Sequence, residues 1–303
     1  MADTISEPMS NAAGPWSTLV SAEALAGALT GAFGGNGQGG DGLVVLDARF
    51  WLADPAAGAA AYRAAHIPGA YHADLDRDLS DHRKTGAGRH PWPDAADFTA
   101  TLGRWGITPQ HQVVAYDAGD GALAAARTWC LLRSLGHARV AVLDGGWARW
   151  TALALPVDGV VPPPRDAWYP GRFDQRNLLD GDAVQAHLEA GGLLLDARAG
   201  ERFRGEVEPI DRIPGHVPGA RNRPYADNLR AGLFKPTHEL ADEFARVLGA
   251  HRPDDVVAMC GSGVTACHHL LAMEHAGLHG AKLYPGSWSS WISDPAHAVA
   301  RGD

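Results

Sequence analysis

Short apolar runs alternate along the chain with longer segments of mixed polarity. Residues 43–46 and 113–116 are four-residue apolar runs, the length expected of buried strands. Residues 56–65, 94–105 and 122–135 mix apolar and polar positions in the manner of helices. This alternation predicts an α/β fold built around a mainly parallel sheet.

The N-terminal region carries weaker signals. Residues 17–29 predict a first helix with Ser21 as its N-cap. Seven of the twelve residues 31–42 are glycine, which predicts a flexible loop. Residues 1–15 contain two acids, no basic residue and no apolar core, so we expect a disordered segment and not a secretory signal.

The whole pattern occurs twice. Residues 193–198 repeat residues 44–49, both ending in Asp-Ala-Arg, and the His-Val-Pro-Gly-Ala turn at 216–220 repeats the turn at 66–70. Such a long repeat indicates tandem domains. We therefore predict an N-terminal domain over 16–156, a proline-rich linker over 157–172 and a C-terminal domain over 173–303.

Composition narrows the function classes. The net charge of −9 argues against a nucleic-acid partner or binding to an anionic membrane surface. No apolar run approaches the ~18–20 residues that would span a membrane. The chain has three cysteines, too few and too odd in number for a disulfide framework. A reducing compartment, and hence a cytoplasmic location, is the expectation.

The main candidate for a reactive residue is Cys260, which directly follows the apolar run 256–259. A short loop containing Gly261 and Gly263 follows, and then a helix-compatible run. The glycines let the loop curl so that its N–H groups and the positive helix end stabilise a thiolate. This pattern predicts a reactive cysteine; a buried core cysteine is the alternative.

The repeat suggests that only one half is catalytic. The position of Cys260 is taken in the first half by Asp117. Because a carboxylate cannot perform thiolate chemistry, we expect one active site in the second half, with the first half serving as cleft wall.

The segment from Cys260 to Ala266, Cys-Gly-Ser-Gly-Val-Thr-Ala, resembles the active-site loop of the two-domain sulfurtransferases. It is closer to the 3-mercaptopyruvate enzymes than to the thiosulfate sulfurtransferases, or rhodaneses, with their Cys-Arg-Lys-Gly-Val-Thr pattern. The resemblance implies two tandem rhodanese-like domains and a persulfide on Cys260 that carries sulfur from 3-mercaptopyruvate, releasing pyruvate. A thiol, thioredoxin among the candidates, or cyanide is the implied acceptor. Thiosulfate is the alternative donor.

The same resemblance implies a set of substrate-binding residues. Arg202 matches the family arginine that binds substrate, and Arg212 is a weaker match to a second one because it lies ten residues on, not nine. Arg198 and Arg204 are expected to be structural or solvated. Thr265 either donates its hydroxyl to the sulfur or caps the following helix. The loop residues expected to contact substrate are Gly261, Gly263, Val264 and Thr265.

Ser262 is proposed in the mercaptopyruvate enzymes to act with a histidine and an aspartate of the N-terminal domain. Here His66 matches the family histidine, and Asp54 is the nearest aspartate upstream. However, His216 occupies the equivalent place in the second repeat, which equally favours a structural role in the turn for both histidines.

Other chemistries fit less well. Adjacent His268 and His269 would point about 100° apart on a helix, so we expect no metal site, and nothing indicates a cofactor. A cysteine phosphatase would need an arginine where Ala266 stands. A binding module without activity would be expected to have lost Cys260. Cys267 is expected to be a core residue.

Overall fold

The computed structural model of the protein describes residues 15–33 and 42–303. The expectations for the extreme N-terminus and for most of the glycine-rich stretch at 31–42 lie outside these residues, except that helix continues to Phe33.

The first half contains a five-stranded, fully parallel sheet with strand order β1-β5-β4-β2-β3. Each strand is short and largely buried, as the apolar runs predicted. The strands are β1 (Leu19–Val20), β2 (Leu43–Asp47), β3 (Tyr71–His72), β4 (Gln112–Tyr116) and β5 (Val140–Leu143). The helices are α1 (Ala22–Phe33), α2 (Pro55–Ala64), α3 (Ala95–Arg104), α4 (Ala124–Ser134) and α5 (Gly146–Ala152).

The second half repeats this architecture with a four-stranded parallel sheet of order β11-β10-β6-β7 and a separate antiparallel hairpin, β8–β9. Its strands are β6 (Leu193–Asp196), β7 (Arg221–Asn222), β8 (Leu229–Arg230), β9 (Leu233–Phe234), β10 (Val256–Met259) and β11 (Lys282–Leu283). Its helices are α6 (Gly181–Glu189), α7 (Gly200–Phe203), α8 (Thr237–Leu248), α9 (Ala266–His275) and α10 (Ser287–Trp291).

The start of the chain departs from the prediction of one helix over 17–29. Leu19 and Val20 instead form an edge strand that pairs with β5, which buries Val20. The helix begins after Ser21, whose Oγ accepts a hydrogen bond of 3.1 Å from the Ala24 amide. The predicted cap was therefore placed correctly, but the apolar pair before it is held by the sheet.

The two halves use the same internal contacts. Arg49 forms a buried pair with Asp47, and Arg198 forms the same pair with Asp196, each with Nη2 and Oδ2 2.6 Å apart. These pairs hold the chain where it leaves β2 and β6, so the structure supports a structural role for both arginines.

The halves are joined by a shared core. Helix α4 packs against α9, and one apolar cluster includes Leu131 from the first half and Leu271 from the second. The predicted linker also lies along the first half, because the Arg165 and Ala167 amides donate to carbonyls of α3. The ends of β4 and β10 that carry the loops of interest are thus fixed across a packed interface.

Candidate active site

Cys260 directly follows the central strand β10. Its side chain is buried, with the residue 2% exposed, and its amide donates to Ser287 Oγ at 3.0 Å. It lies at a pocket of about 260 Å³ formed by both halves. A pocket of this size suits a small molecule. The predicted substrate residues Arg202, Gly261, Val264 and Thr265 line the same pocket.

Gly263 allows the loop to fold over this pocket. It has a φ of +73°, and a Cβ there would lie 2.0 Å from the Pro285 carbonyl oxygen. Both facts require glycine. Within the described residues, the amides of residues 261–265 donate to no acceptor, so these donors are available to an anion at the sulfur.

The corresponding loop of the first half shows what such amides bind. The Asp117 carboxylate accepts hydrogen bonds from the Gly119, Gly121 and Leu123 amides at 3.0–3.2 Å. Burial, followed by the nearby Asp120, raises the pKa of Asp117 to about 6. The Asp117 carboxylate thus occupies the position at which the backbone amides of its own loop converge.

The two loops are otherwise held alike. The Trp147 amide donates to the Asp117 carbonyl at 2.9 Å, and the Trp288 amide donates to the Cys260 carbonyl at 3.0 Å. Asp117 and Cys260 are therefore structurally equivalent, and a thiolate on Cys260 would occupy an anion-binding loop.

Ser262 contacts a histidine that the sequence analysis did not select. Its Oγ lies 2.8 Å from Nδ1 of His90, and Nε2 of His90 lies 3.6 Å from a carboxylate oxygen of Asp76. Burial, with the charges of Arg127 and Arg89, lowers the pKa of His90 to about 3. His90 is therefore neutral at physiological pH, and a proton on Nε2 would face Asp76.

The structure does not bring His66 and Asp54 to Ser262. His66 is fully buried, and its ring contacts the carbonyls of Tyr62 at 2.7 Å and Val160 at 3.1 Å. Asp54 caps α2 by accepting from the Ala56 amide. These contacts favour the structural reading of His66 and give Asp54 a capping role.

Two arginines converge on the Cys260 loop. Arg202 donates to Glu208 at 2.7 Å and to Asp211 at 3.2 Å. Arg89, from the first half, donates to the other oxygen of Asp211 at 2.7 Å. The acidic partners hold both guanidinium groups beside Gly261, whose Cβ position would lie 3.7 Å from Arg202 and 3.1 Å from Arg89.

The other arginines of this segment point elsewhere. Arg212 donates to the Ile292 carbonyl and is not among the residues lining the pocket. Arg204 pairs with the exposed Glu206. Arg198 lines the pocket but is tied to Asp196. The geometry therefore favours Arg202 over Arg212 as a substrate-binding residue. The side chain of Thr265 makes no capping hydrogen bond to α9, and Thr265 lines the pocket.

A buried cation lies beneath the loop. Arg127 on α4 is fully buried, and it donates from Nη1 to the Gly263 carbonyl and from Nη2 to the His90 carbonyl, both at 3.1 Å. Its guanidinium carbon lies 4.3 Å from the centre of the Trp92 ring. Arg127 thus connects the Cys260 loop of the second half to the segment of the first half that carries His90.

The paired histidines on α9 have structural partners. His268 and His269 both place Nδ1 near the Asn228 amide nitrogen, at 3.1 and 2.9 Å. Their Nε2 atoms contact the carbonyls of Asp120 and Arg223. Cys267 is fully buried, with Sγ 3.3 Å from the Gly263 carbonyl, so it packs in the core as expected.

Sequence reasoning missed His90, Asp76, Arg89 and Arg127. The first three lie in the long irregular segment between β3 and α3. Irregular loops longer than about 12–15 residues are uncommon in compact domains and often functional, so length was a usable signal. His90 also has no counterpart in the second repeat, unlike His66.

Comparison with known proteins identifies the family of the chain. The model of the rhodanese-like domain matches residues 36–153 and again residues 180–294. The chain therefore belongs to the rhodanese-like domain family, in its two-domain form. The predicted fold of two tandem α/β domains of this kind is confirmed.

Similar whole proteins place it more closely. A relative from Pseudomonas aeruginosa bearing the name of a 3-mercaptopyruvate sulfurtransferase is 49% identical over 265 residues, which cover 86% of this chain and 93% of the relative. SseB from Mycobacterium tuberculosis, which bears the name of a thiosulfate sulfurtransferase, is 40% identical and covers 94% of this chain and 97% of its own. The prediction that the chain is a sulfurtransferase is confirmed.

A solved structure supports the same placement. The 3-mercaptopyruvate sulfurtransferase from Leishmania major has a TM-score of 0.78 with 29% identity, covering 91% of this chain and 74% of that one. Across the described residues, none of the helices combines the length and the apolar character needed to cross a membrane.

Proposed function

We propose that the protein transfers sulfur from 3-mercaptopyruvate to a thiol or cyanide through a persulfide on Cys260. The observation that carries the proposal is the contact between Ser262 and His90 beside Cys260, at 2.8 Å. A donor that leaves as an enolate needs a proton near the sulfur, whereas sulfite leaving from thiosulfate does not.

The first step forms a sulfur–sulfur bond. The Cys260 thiolate attacks the donor sulfur, the carbon–sulfur bond breaks, and the electron pair leaves on pyruvate as its enolate. The amides of the loop stabilise the anionic sulfur. Ser262 holds a hydroxyl proton for the enolate, and neutral His90 orients that hydroxyl by accepting its hydrogen bond at Nδ1. The donor thiol's own proton, which stays on the outer sulfur of the persulfide, returns to Ser262.

Arg202 is proposed to bind the substrate carboxylate. Glu208 and Asp211 hold its Nε and Nη2 at the pocket, so Nη1 is the nitrogen left to donate to the carboxylate. In the second step, the acceptor attacks the outer sulfur of the persulfide and regenerates the thiolate. Thioredoxin is one candidate acceptor. The three free cysteines fit the reducing cytoplasm.

Thiosulfate is the second candidate donor, and the arginines beside Gly261 are the observation that favours it. The loop itself carries no cation, but Arg89 and Arg202 do lie close to it. Glu208 and Asp211 offset these two charges. A monoanionic donor suits this balance better than a compact dianion placed against a thiolate.

The test compares both donors in the same preparation. We expect a higher specificity constant for 3-mercaptopyruvate than for thiosulfate. Mass spectrometry after donor exposure should show one added sulfur on Cys260, and none in Cys260→Ser. Preference for thiosulfate, or sulfur carried on Cys130 or Cys267, would overturn the proposal.

A further inference from the structure

Arg202 has one guanidinium nitrogen left for a substrate carboxylate, because Glu208 and Asp211 accept from its Nε and Nη2. Arg212, the only match in its own segment, donates to the Ile292 carbonyl. A second cation for this carboxylate would come from the other half of the chain, which forms one wall of the pocket.

Arg89 stands in that wall and is fixed at two points. Its amide donates to Ser289 Oγ at 2.9 Å, and its Nη1 donates to Asp211 Oδ1 at 2.7 Å. Since Asp211 also accepts from Arg202 at 3.2 Å, one carboxylate sets the positions of both guanidinium groups.

The opposite edge of Arg89 is unused. Its Nε is buried and has no hydrogen-bond partner among the described residues. Its Nη2, on the same edge, lies 3.1 Å from the Cβ position of Gly261 and likewise donates to no described group. Burying an unpaired donor is costly, and the Nε–Nη2 edge of arginine matches the two oxygens of a carboxylate.

We propose that Arg89 is a substrate-binding residue, whose Nε–Nη2 edge grips the donor carboxylate opposite Arg202. The inference rests on the proposed function, since it assigns the subsite for the same donor. Gly261 is then required for a reason beyond loop flexibility. A side chain at this position would press on the edge of Arg89 that receives the substrate.

The decisive comparison uses donors with and without a carboxylate. Arg89→Ala should lower kcat/KM for 3-mercaptopyruvate roughly ten- to a hundredfold, the range for losing a charge-assisted hydrogen bond. With 1-mercaptopropan-2-one, which lacks the carboxylate, parent and variant should agree within about twofold. Arg89→Lys keeps the charge but loses the two-nitrogen edge of the guanidinium. Its kcat/KM for 3-mercaptopyruvate should fall between those of the parent and Arg89→Ala. Arg204→Ala, at an arginine paired with the exposed Glu206, is the matched control and should resemble the parent.

A structural role for Arg89 predicts different results. If Arg89 only neutralises Asp211, Arg89→Ala should impair both donors equally, and adding Asp211→Asn should restore activity. Either result, or an Arg89→Ala enzyme with parental kinetics, would overturn the inference.

Pyruvate protection separates this inference from the proposed function. Pyruvate, which keeps the carboxylate but has no sulfur, should slow alkylation of Cys260 by iodoacetamide in the parent and fail to do so in Arg89→Ala. If the parent does not use 3-mercaptopyruvate but shows this difference, the donor assignment fails and the carboxylate site stands. If pyruvate protects both proteins equally, the Arg89 assignment fails alone.

Discussion

The hydroxyl of Ser262 and the imidazole of His90 meet across the interface between the two halves, with Oγ and Nδ1 2.8 Å apart. Ser262 belongs to the Cys260 loop of the second half, and His90 belongs to a loop of the first half. Neither residue has this partner within its own half, so the pair exists only when the halves are packed together.

Removing either member of this pair should slow transfer. We expect Ser262→Ala and His90→Asn each to lower kcat with 3-mercaptopyruvate by about 10²-fold or more, the usual contribution of a positioned acid–base group. Because the two residues act as one unit, the double variant should be little worse than either single one. Steady-state kinetics of the three variants provide the check. Fully multiplicative losses would show independent roles.

His66→Asn is the control for this pair. His66 is buried, with its ring nitrogens close to two carbonyl oxygens, so its replacement should lower the free energy of unfolding. The folded fraction should keep its kcat. If the His66→Asn enzyme folds but has no activity, His66 is a catalytic residue after all.

The arginine segment offers a matched pair for the substrate clamp. Arg202→Ala should reduce kcat/KM for 3-mercaptopyruvate by roughly ten- to a hundredfold, since a hydrogen bond to a charged group is worth about 1.5–3 kcal/mol. Arg204→Ala, two residues on and paired with exposed Glu206, should change it less than twofold. Equal losses in both would mean that the segment acts through its fold and not through Arg202.

Gly263 should tolerate no side chain. In Gly263→Ala the new methyl group would meet the Pro285 carbonyl, and φ would remain at +73°. Gly191 has a similar φ of +84° with nothing within 4 Å of its Cβ position. Gly191→Ala should therefore cost only the strain of about 1–2 kcal/mol and keep activity. Gly263→Ala should lose activity and more stability, as measured by urea unfolding and turnover.

Buried histidines should make the protein labile to acid. Burial lowers the pKa of His90 and His268 to about 3 and that of His269 to about 4. Below about pH 6.5 the unfolded chain gains protons that the folded chain does not, so stability is full above that pH and falls as pH drops towards 4. Each histidine contributes a slope of about 1.4 kcal/mol per pH unit.

Urea unfolding at several pH values tests this expectation. Asp117, whose folded pKa is raised, acts in the opposite sense between about pH 4 and 6, so the net slope should be smaller than the sum for the histidines. His269→Gln should reduce the slope of stability against pH by about 1.4 kcal/mol per pH unit, which corresponds to one proton. Stability that is constant from pH 7.5 to 4.5 would contradict the assigned protonation states.

The sequence predicted the features that are local. The strand, the glycine loop and the helix around Cys260 lie within one short stretch, and the repeat identified Asp117 as its counterpart. Asp54 and His66 were chosen because they lie near a family-like turn, but that turn is held by local capping and carbonyl contacts. His90, Arg89 and Arg127 meet the Cys260 loop only where the two halves pack together, which no sequence spacing reveals.

The position of Arg127 has a consequence for how this chain could have evolved. The guanidinium belongs to the half that carries Asp117, yet it donates to a carbonyl of the half that carries Cys260. A gene encoding only the second copy would produce a Cys260 loop without Arg127 beneath Gly263, His90 beside Ser262 or Arg89 beside Gly261. If Cys260 carries sulfur as proposed, mutations in either copy would change the same activity, so selection would act on the two copies together.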